Sequence, residues 1–378
     1  MKRINYISFQ EQVGYGIASQ GLIKSLRTEG AEVPVTCLLP GNVHQGGRLV
    51  EEDDLGKLDG VVVHTVPEYY PYWAERRRTA YPSVPVWGYT AWETDRIPPH
   101  WPQLLNAMDG IFVPCRWNKE VFERCGVTVP VRVLPHVSEF HGQVGKDRAS
   151  ELLSGAIGEA EGNYIFYSIG VWSERKGITL LLQAFMEEFS PAENIILIVK
   201  TDGVDWSSYR NRWKRWFGRR AMRSSKSSFA EMMKTCPDAR IVHIAEELTS
   251  ADIARLHEAG DCYVSFTRGE GWGMGAYEAA WFGNCVAITG YGGQLDYLPG
   301  ESAYLLPYTL VPVSTAYGRT SYRPDQRWAE IDVRQARSIL RGIVVDAEQS
   351  RARARQLQQH VADRFASGKI AAACLEVF

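Results

Sequence analysis

The feature of this sequence that most restricts its fold is an alternation of short strand-forming runs with helix-length amphipathic segments along nearly the whole chain. This alternation is typical of parallel sheets whose strands are joined by crossover helices. Two series of six strands predict an α/β protein with two doubly wound domains. The predicted strands are Ile4 to Ser8, Val33 to Leu38, Gly60 to His64, Val84 to Tyr89, Gly110 to Val113 and Val131 to Leu134 in the first series, then Tyr164 to Ile169, Asn194 to Lys200, Arg240 to Ile244, Cys262 to Ser265, Cys285 to Thr289 and Ala303 to Leu306 in the second.

The length and local composition of the chain indicate where the domains divide. A chain of 378 residues corresponds to about two globular domains of roughly 150 residues each. The stretch from Ser138 to Gly162 is rich in Gly, Glu, Ser and Ala and lacks a strand pattern, which is typical of a linker. We therefore expect an N-terminal domain over residues 1–150, a C-terminal domain over residues 151–355, and helix after Trp328.

The charge balance, the cysteines and the hydropathy exclude several classes of protein. With 42 Lys and Arg against 44 Asp and Glu, the net charge is -2, so nucleic acid is not an expected partner. The 7 cysteines are scattered and never form the close pairs of zinc or redox sites, which favours buried free thiols. No run approaches the roughly 18 consecutive apolar residues of a membrane span, and Met1-Lys2-Arg3 leads into a strand-like run rather than a signal peptide. We therefore expect a cytoplasmic protein.

The loops that follow strands are the places to search for a ligand site, because helix N-termini there present free N–H groups to anions. The first such loop holds Gly14 and Gly16, directly before a helix predicted from Ile17 to Thr28. Two glycines at this position would let the backbone approach a phosphate group closely. The alternative is that these glycines only form a tight turn.

A second loop, from Arg268 to Ala280, carries a more specific pattern. Its glycine-rich start runs into a helix expected to begin near Gly275, which would again point N–H groups at an anion. Glu270 and Glu278 are eight positions apart, so both carboxylates could face one cleft and accept hydrogen bonds from the diols of a ribose and a sugar ring. The alternative is two solvated glutamates around the start of a helix.

A third feature, Arg175-Lys176-Gly177, stands where a predicted strand meets the next helix. Two adjacent cations at this position could neutralise a phosphate group without a metal ion. Lys200, at the end of the following strand, is another candidate for the same charge. The alternative for Arg-Lys-Gly is a solvated turn.

Together these loops resemble those of the retaining GT-B glycosyltransferases of glycosyltransferase family 4. The likeness extends over most of the chain. The Glu-x7-Glu signature of the family resembles Glu270 to Glu278, its Arg-Lys-Gly turn resembles Arg175 to Gly177, and its N-terminal glycine loop resembles Gly14 to Gly16. Further similar segments are Trp92 to Asp95 with Ile97-Pro98, Val113 to Asn118, and Leu134 to Val137.

The resemblance implies two Rossmann-like domains facing across a cleft, with the nucleotide-sugar donor held mainly by the C-terminal domain and the acceptor by the N-terminal domain. It implies that Glu278 binds the donor ribose, that Glu270 contacts the donor sugar hydroxyls and that Lys176 binds the diphosphate. Residues 356–378 resemble the helix that returns to the N-terminal domain in this fold. The implied donor-binding residues are Gly14, Gly16, Arg175, Lys176, Glu246, Glu270, Gly271, Trp272, Gly273, Met274, Gly275 and Glu278, with the nucleobase near His243 to Leu248.

The sequence departs from the family pattern at two places. Many members carry an arginine directly after the strand-end glycine, where this chain has Val171, so Arg175 or Lys200 is expected to supply that charge. Many members also have a histidine in the N-terminal domain at the position where this chain reads Thr90 to Glu93. The candidates for acceptor binding are therefore His64, Trp92 and Glu93.

By this resemblance the chain is expected to move a hexose from a UDP- or GDP-linked sugar to a hydroxyl of a glycan or glycolipid, with retention of configuration, in bacterial surface polysaccharide synthesis. Lys176, Arg175 and Glu270 are the candidate catalytic residues, since cations would stabilise the departing diphosphate. No metal ion or cofactor is expected, and no Asp-x-Asp follows a predicted strand. The alternatives are a non-catalytic GT-B scaffold that binds the nucleotide-sugar, and a GT-B epimerase or phosphorylase.

The segment from Trp206 to Lys226 has a composition of its own, in which aromatic side chains are interleaved with arginines and lysines. At about 100° per residue its aromatic residues fall on one stripe and most of its cations fall outside, which predicts an amphipathic basic helix. Such a helix could lie on an anionic membrane surface, close to a lipid-linked acceptor. The alternative is a helix whose aromatic face packs on its own domain.

Overall fold

The computed structural model describes residues 1–9, 14–138, 162–210, 222–314 and 321–378, together with positions 140, 155 and 158. The chain divides into two compact units. Met1–His141 and Asp363–Phe378 form the first unit, and Gly142–Ala362 forms the second. The predicted linker from Ser138 to Gly162 lies almost entirely outside the described residues.

The first unit is built on a seven-stranded sheet. Its strands are β1 (Ile4–Phe9), β2 (Val35–Leu39), β3 (Arg48–Glu52), β4 (Gly60–His64), β5 (Val86–Tyr89), β6 (Gly110–Val113) and β7 (Val131–Val133), in the order β3-β2-β1-β4-β5-β6-β7. Neighbouring strands are parallel except at the β2–β3 edge. Its helices are α1 (Tyr15–Thr28), α2 (Tyr70–Ala80), α3 (Trp101–Leu105) and α4 (Arg116–Arg124), with short 3-10 helices at Val43–Gln45 and Pro67–Tyr69.

The second unit is built on a six-stranded parallel sheet. Its strands are β8 (Tyr164–Ile169), β9 (Ile195–Lys200), β10 (Ile241–Ile244), β11 (Cys262–Ser265), β12 (Cys285–Thr289) and β13 (Tyr304–Leu306), in the order β10-β9-β8-β11-β12-β13. A separate antiparallel pair is formed by β14 (Tyr308–Pro312) and β15 (Arg327–Ile331). The helices are α5 (Ile178–Glu188), α6 (Ser225–Met233), α7 (Ser250–Ala259), α8 (Met274–Trp281), α9 (Val333–Val345) and α10 (Ala347–Arg364), with 3-10 helices at Trp206–Arg210 and Gly293–Asp296.

The last helix, α11 (Ser367–Leu375), belongs to the first unit. Ser25 on α1 donates a hydrogen bond from its hydroxyl to the carbonyl of Ser367 at 2.7 Å. The ring of the C-terminal Phe378 fills the space beside Gly60, where a Cβ would come within 2.1 Å of it. The C-terminal segment therefore completes the packing around β4 and α1.

The central strands are apolar on both faces because helices cover both sides of a parallel sheet. All five residues of Gly60–His64 are buried, and in β9 only the terminal Lys200 reaches intermediate exposure. Runs such as Val61-Val62-Val63 therefore show no alternation of polar and apolar residues. This explains why short apolar runs were the strongest strand signals in the sequence.

The predicted fold class, two doubly wound parallel-sheet domains, is confirmed. All twelve predicted strands are present, with ends within two residues of the expected positions. Three further strands, β3, β14 and β15, escaped prediction. β3 and β14 are mostly exposed, and β15 mixes apolar with charged residues, so none shows a continuous apolar run. The expectation that helix follows Trp328 directly was wrong, since Trp328 lies within β15 and α9 begins at Val333.

The basic aromatic segment is described only at its ends. Trp206–Arg210 forms a 3-10 helix and α6 begins at Ser225, whereas residues 211–221 lie outside the described part of the chain. The amphipathic helix predicted over this segment therefore stays a prediction. Within the described residues, no helix is long and apolar enough to cross a membrane.

Candidate functional site

The strand order of the second unit reverses beside β8, with β9 on one side and β11 on the other. Ligands of such sheets bind at the carboxyl ends of the two strands that flank the reversal. Those ends are Ile169 and Ser265, and the following loops, 170–177 and 266–273, lead to α5 and α8. The amide of Arg268 donates to the carbonyl of Arg175 at 2.6 Å, so the two loops are in direct contact.

The loop 266–273 carries a buried carboxylate, which is bonded to two cations of the loop 170–177. Glu270 is 7% exposed. Its Oε1 accepts a hydrogen bond from Lys176 Nζ at 2.6 Å, and its Oε2 accepts one from Arg175 Nη1 at 3.3 Å. Arg175 Nη1 also donates to the carbonyl of Gly269 at 2.6 Å. The structure therefore brings the three candidate catalytic residues into one cluster.

The protonation state of Glu270 is fixed by its neighbours. Burial by itself would raise the pKa of this carboxyl, but the charges of Lys176 and Arg175 and hydrogen bonds from Lys176 and Thr267 outweigh that effect. Together they lower its pKa to about 2. The carboxylate is therefore ionised throughout the physiological range and can only accept hydrogen bonds.

Helices α5 and α8 both begin beside this cluster. Gly177 and Gly273 precede them with left-handed φ angles of 66° and 89°, and neither supplies a side-chain cap. A Cβ at Gly177 would lie 2.1 Å from the carbonyl oxygen of Phe266, which requires glycine there. Two helix N-termini and two cations thus give this end of the sheet a positive potential suited to a phosphate group.

The rest of the glycine-rich loop is packed into the core. Trp272, which follows Gly271, is buried against the rings of Tyr277 and Tyr297. Met274 and Gly275 form the first turn of α8. A Cβ on Gly275 would come within 2.8 Å of the Tyr263 hydroxyl, so this glycine lets α8 pack closely on β11. The structure thus places the Trp272 ring in the core and the Gly275 backbone against β11.

Glu278 is buried on α8 and has a different set of neighbours from Glu270. Its Oε2 lies 3.6 Å from Nε2 of His257, a fully buried residue of α7. The other ring nitrogen of His257, Nδ1, is hydrogen-bonded to the Tyr167 hydroxyl at 2.8 Å. Sequence reasoning missed His257, because a single histidine on an amphipathic helix carries no sign of the partner it meets after folding.

Lys200 ends β9 and Glu246 follows β10, at the same edge of the sheet but away from the strand-order reversal. Exposed Lys226 forms an ion pair with Glu246 and lowers the pKa of that carboxyl. Lys200 Nζ donates to the carbonyl of Thr201 at 2.7 Å, and burial lowers the pKa of Lys200. The described contacts therefore join Arg175, and not Lys200, to Lys176 through Glu270. Among the described residues, no group of three or more His, Cys, Asp or Glu side chains could hold a metal ion.

In the first unit the strand order reverses between β1 and β4. Gly14 and Gly16 follow β1, His64 ends β4, and Trp92 and Glu93 follow β5. Gly14 has a φ of 54° and precedes α1, which contains Gly16, whereas residues 10–13 lie outside the described part. Half-buried Glu93 acts electrostatically on Tyr15, whose hydroxyl is hydrogen-bonded to Thr90 Oγ1 at 2.9 Å. Trp92 is a core residue, because its buried indole donates to Thr94 and to the carbonyl of Arg96.

His64 is fully buried in a stack of rings. Its ring lies 4.0 Å from that of Tyr89 with an interplanar angle of 6°, and His136 stacks on Tyr89 at 5.3 Å. The Tyr6 hydroxyl is hydrogen-bonded to Nδ1 of His64 at 2.8 Å. Burial, followed by His136, lowers the pKa of His64, and burial lowers the pKa of His136 to about 3. Both imidazoles are therefore neutral in the folded protein.

Comparisons with known proteins identify the architecture. No family model and no curated protein match the chain. Among solved structures, Anabaena HepE in complex with UDP and glucose is similar, with 14% identity, a TM-score of 0.68 and coverage of 100% of this chain and 99% of that one. Thermosynechococcus elongatus sucrose-phosphate synthase is also similar, with 14% identity, a TM-score of 0.66 and coverage of 100% of this chain and 98% of that one. An E. coli protein named for trehalose-6-phosphate, bound with UDP-2-fluoro glucose, has 10% identity, a TM-score of 0.68 and 99% and 98% coverage.

These likenesses establish the fold over the whole length of the chain. It is the GT-B fold. At 14% identity or less, the neighbours do not by themselves transfer an activity to this chain. The assignment to glycosyltransferase family 4 and the roles of individual residues stay predictions.

Buried His64 and His136 predict a loss of stability in mild acid. Because their folded-state pKa values are depressed, the unfolded chain takes up protons first as pH falls below about 6.5. For His136 this contribution is complete above about pH 6.5 and falls toward pH 3, by about 2 kcal/mol at pH 5. His64 contributes in the same direction. Urea unfolding at pH 7.5, 6 and 5 measures this slope. His136→Phe should flatten it, whereas the exposed control His44→Asn should leave it unchanged; equal slopes in all three proteins would refute the assignment.

The cluster around Glu270 predicts a second stability effect. Glu270→Gln leaves Lys176 and Arg175 close together, partly buried and without their counter-charge. We expect the free energy of unfolding at pH 7.5 to fall by about 3 kcal/mol, as when one partner of a buried ion pair is removed. Glu246→Gln, which removes an exposed pair, is the matched control and should change it by less than about 0.5 kcal/mol. Equal changes in chemical denaturation would show that the cluster is not electrostatically linked.

Proposed function

We propose that this chain is a glycosyltransferase that moves a hexose from a UDP- or GDP-linked sugar to a hydroxyl of a glycan or glycolipid, without a metal ion. The observation that carries the proposal is the Glu270 cluster with Lys176 and Arg175, at the strand-order reversal of a GT-B unit. A nucleotide-sugar donor requires positive charge for its diphosphate and carboxylates for its sugar hydroxyls at the same site. The complexes of structural neighbours with UDP or UDP-sugar analogues add support.

The leaving group in this proposal is a nucleoside diphosphate, whose negative charge grows as the glycosidic bond breaks. Lys176, Arg175 and the N-termini of α5 and α8 would stabilise that charge and lower the barrier. Arg175 replaces the arginine that the family places at Val171, because it is already bonded to the same carboxylate as Lys176. These groups would perform the task that a divalent cation performs in metal-dependent transferases.

Separate roles are proposed for the two glutamates. Glu270, kept ionised by its neighbours, would accept hydrogen bonds from the hydroxyls of the donor sugar. Glu278 would accept hydrogen bonds from the ribose, and Glu246 would lie near the nucleobase. Their separate surroundings on the loop and on α8 support this division.

Retention of configuration is proposed to follow from a front-face displacement. In this mechanism a departing phosphate oxygen helps to remove the proton of the acceptor hydroxyl, which then attacks the sugar from the same side. The acceptor would bind to the first unit near Glu93 and Tyr15. The buried positions of His64 and Trp92 favour supporting roles for both residues. We also propose that the acceptor belongs to a surface polysaccharide and that the segment from Trp206 to Lys226 contacts the membrane.

A donor panel tests the proposed reaction. Purified protein is incubated with UDP-, GDP-, ADP- and TDP-sugars in the presence of EDTA, and both the thermal midpoint and the release of free nucleoside diphosphate are measured. We expect one donor to raise the midpoint and to be hydrolysed slowly, because the cations and helix N-termini need no metal ion. Lys176→Ala should abolish release in the same assay.

Two outcomes of that panel would contradict the proposal. Release that occurs only when a divalent cation replaces EDTA would remove the metal-independent mechanism. Binding of a donor without release, with and without a set of glycan acceptors, would favour the non-catalytic scaffold. Product stereochemistry, read from the anomeric proton by NMR, separates retention from inversion.

The division of roles between the glutamates predicts different kinetic defects. Glu278→Gln should mainly raise the donor Kd, since a ribose contact is present in both the ground state and the transition state. Glu270→Gln should mainly lower turnover, by about a hundredfold, because it removes the counter-charge that orients Lys176 and Arg175. Donor titration by thermal shift and single-turnover release measure the two effects separately. Equal effects of both substitutions on affinity and turnover would contradict the division.

A further inference from the structure

An antiparallel ribbon, β14 with β15, lies outside the six-stranded sheet of the second unit but touches its functional loops. Five residue pairs form the ribbon, from Tyr308 with Ile331 to Pro312 with Arg327. It stands between β13 and α9, and no sequence pattern indicated it. We call these two strands the ribbon.

The first contact of the ribbon is with Arg268, two residues before Glu270. The amide of Ala329 donates to the carbonyl of Arg268 at 2.8 Å. The guanidinium of Arg268 forms an ion pair with Glu330 at 2.6 Å and lies 5.2 Å from the ring centroid of buried Trp328. The ribbon therefore holds both the backbone and the side chain of Arg268.

Arg268 also contacts the loop that holds Arg175 and Lys176. The Arg268 amide donates to the carbonyl of Arg175 at 2.6 Å, and Arg175 Nη1 donates to the carbonyl of Gly269 at 2.6 Å. Directly after β14, the Ser314 hydroxyl donates to Oε2 of Glu174 at 2.9 Å. Both loops of the Glu270 cluster are thus tied to the ribbon.

The loop after β12 contacts both the ribbon and Glu270. The Tyr291 hydroxyl donates to the carbonyl of Arg327 at 3.3 Å, and the Tyr291 ring packs on that of Tyr308. Two residues later, the amide of Gly293 donates to the carbonyl of Glu270 at 2.8 Å. A Cβ on Gly292 would lie 2.8 Å from that same carbonyl oxygen, so this loop fits closely against Glu270.

We propose that the ribbon is a clamp that fixes the position of Glu270 relative to Lys176 and Arg175, with Arg268 and Glu330 as positioning residues. The ribbon bonds to the loop on each side of the cluster and to the loop beneath the Glu270 carbonyl. Without it, these loops would be held only by their own strands and helices and by their bonds to one another. The kinetic consequence of this inference rests on the proposed function, whereas its structural consequence does not.

The test compares Glu330→Ala with the matched control Asp325→Ala. Both remove a carboxylate paired with an arginine close to the ribbon, but the pair of Asp325 with Arg323 is exposed, whereas the pair of Glu330 holds Arg268. Hydrogen exchange of the wild-type protein and both variants is followed at the amides of Arg268 and Ala329. We expect exchange at these amides to be about tenfold faster in Glu330→Ala and unchanged in the control, with thermal midpoints alike.

With the donor that the panel identifies, Glu330→Ala should lower turnover about tenfold or more while the donor KM changes less than about threefold. The reason is that displacing catalytic groups lowers turnover more than it weakens donor binding. Glu330→Asp, which keeps the charge, should recover part of the loss, and Asp325→Ala should match the wild-type protein. Wild-type exchange and wild-type turnover in Glu330→Ala would overturn the clamp. If no donor is turned over, the proposed function fails, and the exchange experiment still decides whether the clamp exists.

Discussion

The ion cluster of Glu270 with Lys176 and Arg175 is the interaction on which the candidate site depends. Two cations on one loop repel each other, and a carboxylate buried alone would be protonated. The cations and the carboxylate therefore stabilise each other, and the charges of Lys176 and Arg175 lower the pKa of Glu270 against the effect of burial. Because the partners come from loops after different strands, the cluster forms only when β8 and β11 lie side by side. The proposed chemistry therefore depends on the parallel pairing of β8 with β11.

Glycine determines how closely those loops can approach each other. Gly177 lies against the carbonyl of Phe266, and Gly292 lies against the carbonyl of Glu270, at distances that no side chain would allow. Both also have positive φ angles. The glycines therefore serve two purposes, which are the left-handed turn and the contact between neighbouring loops. A rigid arrangement of cations results, and rigid charges stabilise a developing anion without the cost of reorganisation.

Much of this could be predicted from the sequence, and the failures have physical causes. Apolar runs locate the strands of parallel sheets because both faces are buried, and the residues after those strands contain Glu270, Lys176 and Arg175. Missed features depend on contacts between distant segments. The position of His257 near Glu278 and that of Arg268 between Glu330 and Trp328 follow from packing and have no local pattern. The ribbon strands were missed because β14 is mostly exposed and β15 mixes apolar with charged residues, so neither shows the continuous apolar run of the central strands.

The two units stabilise polar groups at their strand-order reversals in opposite ways. In the second unit, a buried carboxylate is kept charged by two cations, so the site has strong fixed charges. In the first unit, His64 and His136 are kept neutral by burial among tyrosine rings, so the polar groups there are hydrogen-bonding dipoles. Fixed positive charge of this kind suits a phosphate group. In the proposed reaction, this difference would favour the second unit for the donor diphosphate.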